Sequence, residues 1–259
     1  MLIEVKGLVI RTVDLKESDR LLTIFTEEMG VVTALARGAR ALKSRKMSST
    51  MQFCYSSFVL TMRDDKYTVK DAELIESFFG IRDSIEGLAL AAYIADVLSD
   101  VTTAESDRDL LRLSLNSLYA ISTGKYPLAI VKAAFEMRAS SILGFMPDVL
   151  SCTVCEREDG DFFFDIMGGH VVCAECRKRQ AREAIPDPED RERRIVRILT
   201  EPARRALGYV VHAPLERLFS FKLNEEDTRL FSLAAEDYIV NQLERSFKTL
   251  DFYNKVKRD

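Results

Sequence analysis

The sequence predicts an α+β protein in which an all-β domain comes first and an all-α domain with an embedded cysteine module follows. Five short β-like segments separated by turn residues occupy residues 1–80. Apolar residues recur at helical spacing after that point. Two Cys-x2-Cys pairs interrupt the helical part at residues 151–180. We therefore expect the helical domain to have two parts, residues 81–150 and residues 181–259, with the cysteine module between them.

The β-like segments are runs rich in β-branched and aromatic residues. They cover residues 5–13, 21–25, 31–36, 53–60 and 67–74. Turn chemistry separates them, and the acidic pair Asp64-Asp65 lies between the last two. Five strands of this length within about 80 residues predict a small barrel or sandwich.

The helical segments are recognised by their apolar spacing and by their end signals. Residues 88–98 are apolar nearly all round, which predicts a buried helix. Pro127 is suited to the first position of a helix, and Asn224 to the cap that precedes one. The predicted helices cover residues 88–98, 107–120, 127–143, 189–207 and 225–247.

Four of the five cysteines form the two Cys-x2-Cys pairs, with seventeen residues between the pairs. The intervening residues 161–172 have the pattern of a hairpin, which would bring the pairs together. Four thiolates suit tetrahedral Zn²⁺ with no open position, so we expect a structural zinc site. The alternative is four buried or redox-active cysteines. His170 is a weaker candidate ligand, and the fifth cysteine, Cys54, is expected in the core. The predicted ligands are Cys152, Cys155, Cys173 and Cys176.

Residues 37–46, which we call the basic loop, contain five cations and no acid, although the whole chain has a formal net charge of −4. A concentrated patch raises the local potential even where the overall charge is negative. Cations on a loop can reach phosphates spaced along a nucleic-acid backbone. The alternative is a solvated surface loop without a ligand. The candidate DNA-binding residues are Arg37, Arg40, Lys43, Ser44, Arg45 and Lys46.

Arg138 lies on an otherwise apolar stripe of the third predicted helix. A guanidinium there needs a partner or a groove. One hypothesis is an internal ion pair. The other is a pocket for an acidic, hydrophobic peptide, in which Arg138 holds a carboxylate and Lys132 assists. The arginine-rich residues 191–205 are likewise either a second DNA surface or a solvated helix face.

No known catalytic motif is visible in the sequence. It lacks a P-loop, a dinucleotide-binding glycine motif, a nucleophile elbow and an HExxH motif. We therefore expect a protein that is not an enzyme. The longest apolar run, residues 88–95, is too short to span a bilayer, and no signal peptide is evident. These features predict a cytoplasmic protein without a membrane partner.

The joint order of several short motifs resembles the bacterial recombination mediator RecO family, and the resemblance covers essentially the whole chain. The motifs are GLVI at residues 7–10, ESD at 17–19, LTIFT at 22–26, Gly30, RGAR at 37–40, KS at 43–44, the helix over residues 135–144 that leads into the first cysteine pair, and SFKTL at 246–250. All four positions of the family's variable cysteine motif are filled here.

The resemblance implies an N-terminal five-stranded OB-fold barrel, a helical C-terminal domain and an embedded zinc-ribbon-like module. It also implies binding of single- and double-stranded DNA and annealing of complementary strands without nucleotide. With RecR, such a protein would help load RecA onto DNA coated by single-stranded DNA-binding protein, whose acidic C-terminal tail it would bind. A nucleoid-associated location follows from the same resemblance.

Two other function classes remain open at this point. In the first, the protein is a zinc-ribbon transcription or assembly factor whose cysteine module itself contacts nucleic acid or protein. In the second, it is a hydrolase with an unrecognised site, which the missing motifs disfavour.

Overall fold

A computed structural model of the protein describes residues 2–15, 17–101, 107–183 and 195–257. The chain divides into two compact units, Met1–Lys125 with Phe247–Asp259, and Tyr126–Ser246. Within the described ranges, no helix is both long enough and apolar enough to cross a membrane.

The first unit contains a closed five-stranded barrel in the order β1-β2-β3-β5-β4. Neighbouring strands are antiparallel except at β3 and β5, whose parallel pairing closes the barrel. The predicted five strands and the OB-fold barrel are thereby confirmed. The strands are β1 (Leu2–Leu15), β2 (Asp19–Thr26), β3 (Gly30–Ala36), β4 (Tyr55–Arg63) and β5 (Lys66–Glu76).

Strand β1 closes one side of the barrel because it pairs with two neighbours in succession. Its first half, Leu2 to Leu8, pairs with β4, and the part from Gly7 onward pairs with β2. The two pairings overlap at Gly7, where a Cβ would lie only 2.5 Å from Ile24 Cγ2. A larger residue at this position would therefore clash with β2, which explains the glycine. Apolar side chains from every strand fill the interior, including Phe58 and Leu60 at 0% exposure.

The fourth strand begins later than the sequence predicts. Phe53 was expected to lie in it, but its φ of 66° is left-handed and outside the β region. Its N–H donates to the Val9 carbonyl oxygen at 2.8 Å, so the segment before β4 is tied to β1. Cys54 is 2% exposed, as expected for a core residue. Burial raises the pKa of its thiol.

Seven α-helices lie within the described residues. Helices α1, α2 and α7 belong to the unit that contains the barrel, so the compact units divide the chain differently from the domains expected from the sequence. The helices are α1 (Ile85–Val101), α2 (Arg108–Thr123), α3 (Leu128–Ile142), α4 (Ala174–Glu183), α5 (Glu201–His212), α6 (Glu225–Gln242) and α7 (Lys248–Val256).

The end of the chain differs from the single long helix that the sequence predicts. Asn224 caps α6 as expected, because its side chain accepts a hydrogen bond from the Asp227 N–H at 2.8 Å. The prediction that this helix reaches Phe247 is wrong. Helix α6 ends at Gln242, Glu244 has a left-handed φ of 50°, and Phe247 is the residue that precedes α7.

The predicted arginine-rich helix over residues 189–207 is confirmed from Glu201 onward and is wrong for Val196–Leu199. Val196–Leu199 is a β-strand, β8, and the helix begins only at Glu201 after the capping residue Thr200. Strand β8 pairs with β6 (Phe162–Asp165), which also pairs with β7 (His170–Cys173). Alternating β-branched residues favour a strand once a partner is present. Residues 189–194 lie outside the described residues.

A buried ion triad joins α3 to α6 in the second unit. Lys132 Nζ lies 2.9 Å from Glu136 Oε1 and 2.8 Å from Glu236 Oε2. The lysine side chain is 1% exposed and that of Glu136 is 0% exposed. Burial alone would lower the pKa of Lys132, but the two carboxylates raise it above its usual value. The ammonium group is therefore buried in contact with two carboxylates.

We predict that Lys132→Met destabilises the second unit strongly. The substitution leaves the buried Glu136 carboxyl group without the ammonium group that it contacts, and breaking a buried pair in this way typically costs about 3–5 kcal/mol. Urea denaturation measures the free energy of unfolding. The matched control is Arg229→Met, which removes an exposed pair with Glu226 and should change stability by less than about 1 kcal/mol. Equal losses in both variants would contradict the assignment.

Candidate metal centre and nucleic-acid interface

The four predicted metal ligands come together in the structure. Their sulfur atoms all lie within 4.8 Å of one another. Cys155 Sγ and Cys173 Sγ are 3.7 Å apart. Tetrahedral zinc with Zn–S bonds of about 2.3 Å separates its sulfur ligands by about 3.8 Å. The predicted hairpin is confirmed as β6 and β7, and it is this hairpin that returns the second cysteine pair to the first.

Local backbone geometry positions each cysteine pair. After the first pair, Glu156 has a left-handed φ of 61°, and its N–H donates to the Cys152 carbonyl oxygen at 2.8 Å. In the second pair, Cys173 ends β7 and Cys176 lies in the first turn of α4. The Cys173 N–H donates to Cys152 Sγ at 3.3 Å, and the Cys176 N–H donates to Cys173 Sγ at 3.5 Å. Such bonds stabilise thiolates.

The thiols influence one another strongly. Burial acts to raise the pKa of Cys152, but hydrogen bonds led by the Cys173 N–H lower it to about 6. Burial and the neighbouring sulfur atoms raise the pKa of Cys176 to about 12. Because thiolates repel at this spacing, a cation among them is needed before all four can ionise. The donor set therefore fits a metal that prefers sulfur ligands. His170 begins β7 and is not one of the four clustered ligands.

Arg204 fastens the cysteine module to α5, and sequence reasoning missed this role. The residue is 4% exposed. Its guanidinium donates to the carbonyl oxygens of Val149, at 3.0 Å, and of Leu150 and Glu158. It also lies over the ring of Phe162, 4.8 Å from the centroid. An arginine at helical spacing in a charged segment gives no local signal of this burial.

The second DNA surface considered for residues 191–205 is not supported by the arginines that the structure describes. Arg204 is buried, Arg197 pairs with Asp237, and Arg205 pairs with Glu201 at 2.7 Å. Intramolecular partners therefore occupy all three guanidinium groups. The remaining candidates, Arg191, Arg193 and Arg194, lie outside the described residues.

The basic loop follows β3 and is anchored to the segment between β1 and β2. The Arg40 N–H donates to the Ser18 carbonyl oxygen at 2.9 Å, and the Gly38 N–H donates to Asp19 Oδ1 at 2.8 Å. Gly38 has a left-handed φ of 63°, which turns the chain out of the strand. Ala39 is fully buried in the barrel core. The loop is therefore held against the barrel at its start.

The six candidate DNA-binding residues differ in their exposure and in whether other groups of the protein already contact them. Arg40 Nε lies 3.3 Å from Asp14 Oδ2, in an ion pair that is partly exposed. Lys46 is half-buried and donates to the Val69 carbonyl oxygen at 3.5 Å, while Ser44 Oγ accepts a hydrogen bond from the Lys46 N–H. Among the described residues, no carboxylate lies within ion-pair distance of the exposed side chains of Arg37, Lys43 and Arg45.

The contacts that the structure shows for Arg138 include two backbone carbonyl groups, and both hypotheses for this residue stay predictions. Its Nη1 donates to the carbonyl oxygens of Val210, at 3.4 Å, and Val211. These are among the last carbonyls of α5, which have no partner within the helix, and a cation stabilises them. The expectation that Lys132 assists a peptide pocket is wrong, because the buried ion triad encloses its ammonium group.

The chain matches known proteins over nearly its whole length. Two family models match it: Recombination protein O N terminal over residues 1–78, and Recombination protein O C terminal over residues 82–251. A DNA repair protein RecO from Acetivibrio thermocellus is 35% identical over 259 residues, which cover 99% of this chain and 98% of that protein. Another, from Caldicellulosiruptor saccharolyticus, is 28% identical over 257 residues, covering 98% and 99%. The chain therefore belongs to the RecO family of recombination and DNA repair proteins.

Proposed function

We propose that the protein is a recombination mediator that holds single- and double-stranded DNA through the basic loop and anneals complementary strands without nucleotide. The observation that carries this proposal is the set of three exposed cations, Arg37, Lys43 and Arg45, on a loop anchored to an OB-fold barrel. Barrels of this type commonly bind single strands along one face. Membership of a DNA repair family supports the same ligand.

The proposed annealing needs charge neutralisation rather than catalysis. Two phosphate backbones repel each other, and cations that contact phosphates release bound counterions and reduce that repulsion. Base pairing then supplies the free energy for the product. Arg40 contributes less than its neighbours because Asp14 already lies beside it. Lys46 and Ser44 contribute mainly by shaping the loop.

The cysteine module is a poorer candidate for the DNA contact because three of its four cations have partners within the module. Arg157 Nη2 lies 3.0 Å from Glu175 Oε2. Arg177 lies over the ring of Phe163, 4.3 Å from its centroid, and Arg179 donates to Cys176 Sγ. This disfavours the zinc-ribbon factor, in which the module itself would read nucleic acid.

The metal in the proposal is a structural Zn²⁺. Cys152, Cys155, Cys173 and Cys176 would hold it, and the sulfur spacing together with the lowered pKa of Cys152 supports this assignment. Four protein ligands leave no position for substrate, so the ion would brace the hairpin and supply no reaction step.

The proposal also includes partners that the motif resemblance implies. RecR, and indirectly RecA, would act with this protein on DNA coated by single-stranded DNA-binding protein. The acidic tail of that coating protein would bind the helical part of the chain. Arg138 is the candidate for a tail carboxylate, because its side chain is only half-buried.

We predict that Arg37→Ala/Lys43→Ala/Arg45→Ala weakens single-strand binding and its salt dependence together. Three lost phosphate contacts should lower the slope of log K against log salt by about 2 for single strands. Fluorescence anisotropy of a labelled oligonucleotide across a salt titration measures this slope. The control removes three exposed lysines at the other end of the sequence, Lys248, Lys255 and Lys257. An unchanged slope in the loop variant would reject the interface.

Annealing should fail in the same loop variant. We expect wild-type protein to accelerate pairing of complementary oligonucleotides in the absence of nucleotide, and the loop variant to be slower by at least about tenfold, because strand repulsion is no longer screened. A quenched-fluorophore assay, with and without single-stranded DNA-binding protein, follows the reaction. A strict requirement for ATP, or full activity in the loop variant, would contradict the mechanism.

Loss of zinc ligands should reduce stability and leave the DNA interface intact. We predict that Cys152→Ser/Cys176→Ser lowers the bound zinc from one ion per chain to none and lowers the Tm. The salt slope for single-stranded DNA should stay at the wild-type value. Cys54→Ala, which removes the cysteine outside the cluster, should keep its zinc. DNA binding that disappears with the zinc while the protein stays folded would favour the zinc-ribbon factor instead.

A further inference from the structure

The basic loop carries an apolar side chain that touches almost nothing in the protein. Leu42 is 97% exposed, and the next most exposed large hydrophobic residue among those described, Phe79, is 69% exposed. Leu42 lies between Arg40 and Lys43 in the sequence. Single exposed leucines are common on protein surfaces, so exposure alone decides nothing. What distinguishes Leu42 is its place next to Lys43, one of the three exposed loop cations for which the described part of the chain offers no ion pair.

Hydrogen bonds on both sides of Leu42 shape the loop. The Ala41 N–H donates to the Gly38 carbonyl oxygen at 3.2 Å, and the Ser44 N–H donates to the Ala41 carbonyl oxygen at 2.8 Å. Farther along, Ser49 Oγ donates to the Ala72 carbonyl oxygen at 3.1 Å and returns the chain to β5. Successive turns therefore present Leu42 to solvent between two anchored ends.

We infer that Leu42 is a wedge that packs against the faces of unstacked bases in a bound single strand. The inference rests on the proposed binding of DNA by the basic loop. Once Lys43 and Arg45 hold phosphates, the bases of the same nucleotides are the nearest apolar surfaces. An isobutyl group makes no hydrogen bonds, so it can gain only by covering a base face, and it does so with any base.

The contact would add affinity without sequence preference. A strand held by its phosphates alone stays free to stack its bases on one another. A leucine inserted between two of them keeps those bases unstacked and exposes their pairing edges, which suits a protein that anneals strands. An anionic membrane is the other surface that cations with an apolar residue could fit. One leucine on a loop lacks the broad apolar face of a membrane-binding helix, so the observations favour bases.

The first experiment separates base contacts from phosphate contacts. Affinities of the full chain and of Leu42→Ala are measured for a single-stranded oligonucleotide and for an abasic strand of the same length. We expect Leu42→Ala to weaken binding to the normal strand by about three- to tenfold, because it loses much of the buried leucine surface. Binding to the abasic strand and the salt slope should not change. Leu2→Ala, at an exposed leucine of β1, is the control.

The second experiment reads the environment of position 42 directly. The sequence contains no tryptophan, so Leu42→Trp introduces the only one. We expect its fluorescence to be quenched in a saturable way by the normal strand and much less by the abasic strand. The control Leu2→Trp should not respond to either strand. Vesicles of phosphatidylglycerol and phosphatidylcholine provide the membrane arm, and they should leave the emission of Leu42→Trp unchanged.

The outcomes distinguish this inference from the function on which it rests. If the oligonucleotide binds with the expected salt slope but Leu42→Ala loses equal affinity for both strands, or none, the wedge is wrong and the basic loop remains the interface. If no strand binds the wild-type protein, the proposed function itself fails. A fluorescence change with vesicles and none with DNA would assign Leu42 to a membrane and overturn the inference.

Discussion

The double pairing of β1 is the constraint on which the proposed DNA interface depends. One strand hydrogen-bonds β4 with its first half and β2 with its second half, and the close approach at Gly7 lets it pass from one neighbour to the other. Closure also brings the far end of β1 beside the start of the basic loop, where Asp14 meets Arg40. Ala39 lies in the barrel core, and the Arg40 N–H donates a hydrogen bond to the Ser18 carbonyl oxygen. These two contacts hold the start of the loop against the barrel. Loop position is thus a consequence of how the strands pair.

The second unit satisfies charges inside the protein, whereas the basic loop leaves them exposed. Lys132, Arg204 and Arg138 are all basic, and all three are used to hold segments together, through carboxylates in the first case and through backbone carbonyls in the other two. Breaking the contacts of a cation in the protein interior costs free energy, which makes these contacts suited to fixing helix positions. The four clustered cysteines pose the opposite problem, because thiolates this close together repel one another unless a positive ion lies among them.

Much of the architecture was predictable because its signals are local. The β-rich runs of the five barrel strands, the nearly all-apolar residues 88–98 of α1, the cap at Asn224 and the hairpin between the cysteine pairs each depend on neighbouring residues, and the structure confirms all of them. The errors have a common cause. The segment before Glu201 has arginines at helical spacing, yet Val196–Leu199 forms a strand because β6 offers it a partner far away in the chain. Phe53 and Glu244 have left-handed backbone conformations, which phenylalanine and glutamate rarely adopt, so their residue types do not predict them.

By itself, the sequence determined the order of β and α parts, the four cysteines that cluster and the place of the basic loop, since each follows from spacing or composition over a few residues. Only the tertiary structure decided which charged residues have partners. Arg40 meets Asp14, Lys132 meets Glu236, and Arg204 reaches carbonyl oxygens more than forty residues away in the chain. Such partners are brought together by the packing of distant segments, and the free energy of a charge depends on what lies within a few ångströms of it. The spacing of residues along the sequence does not predict those distances.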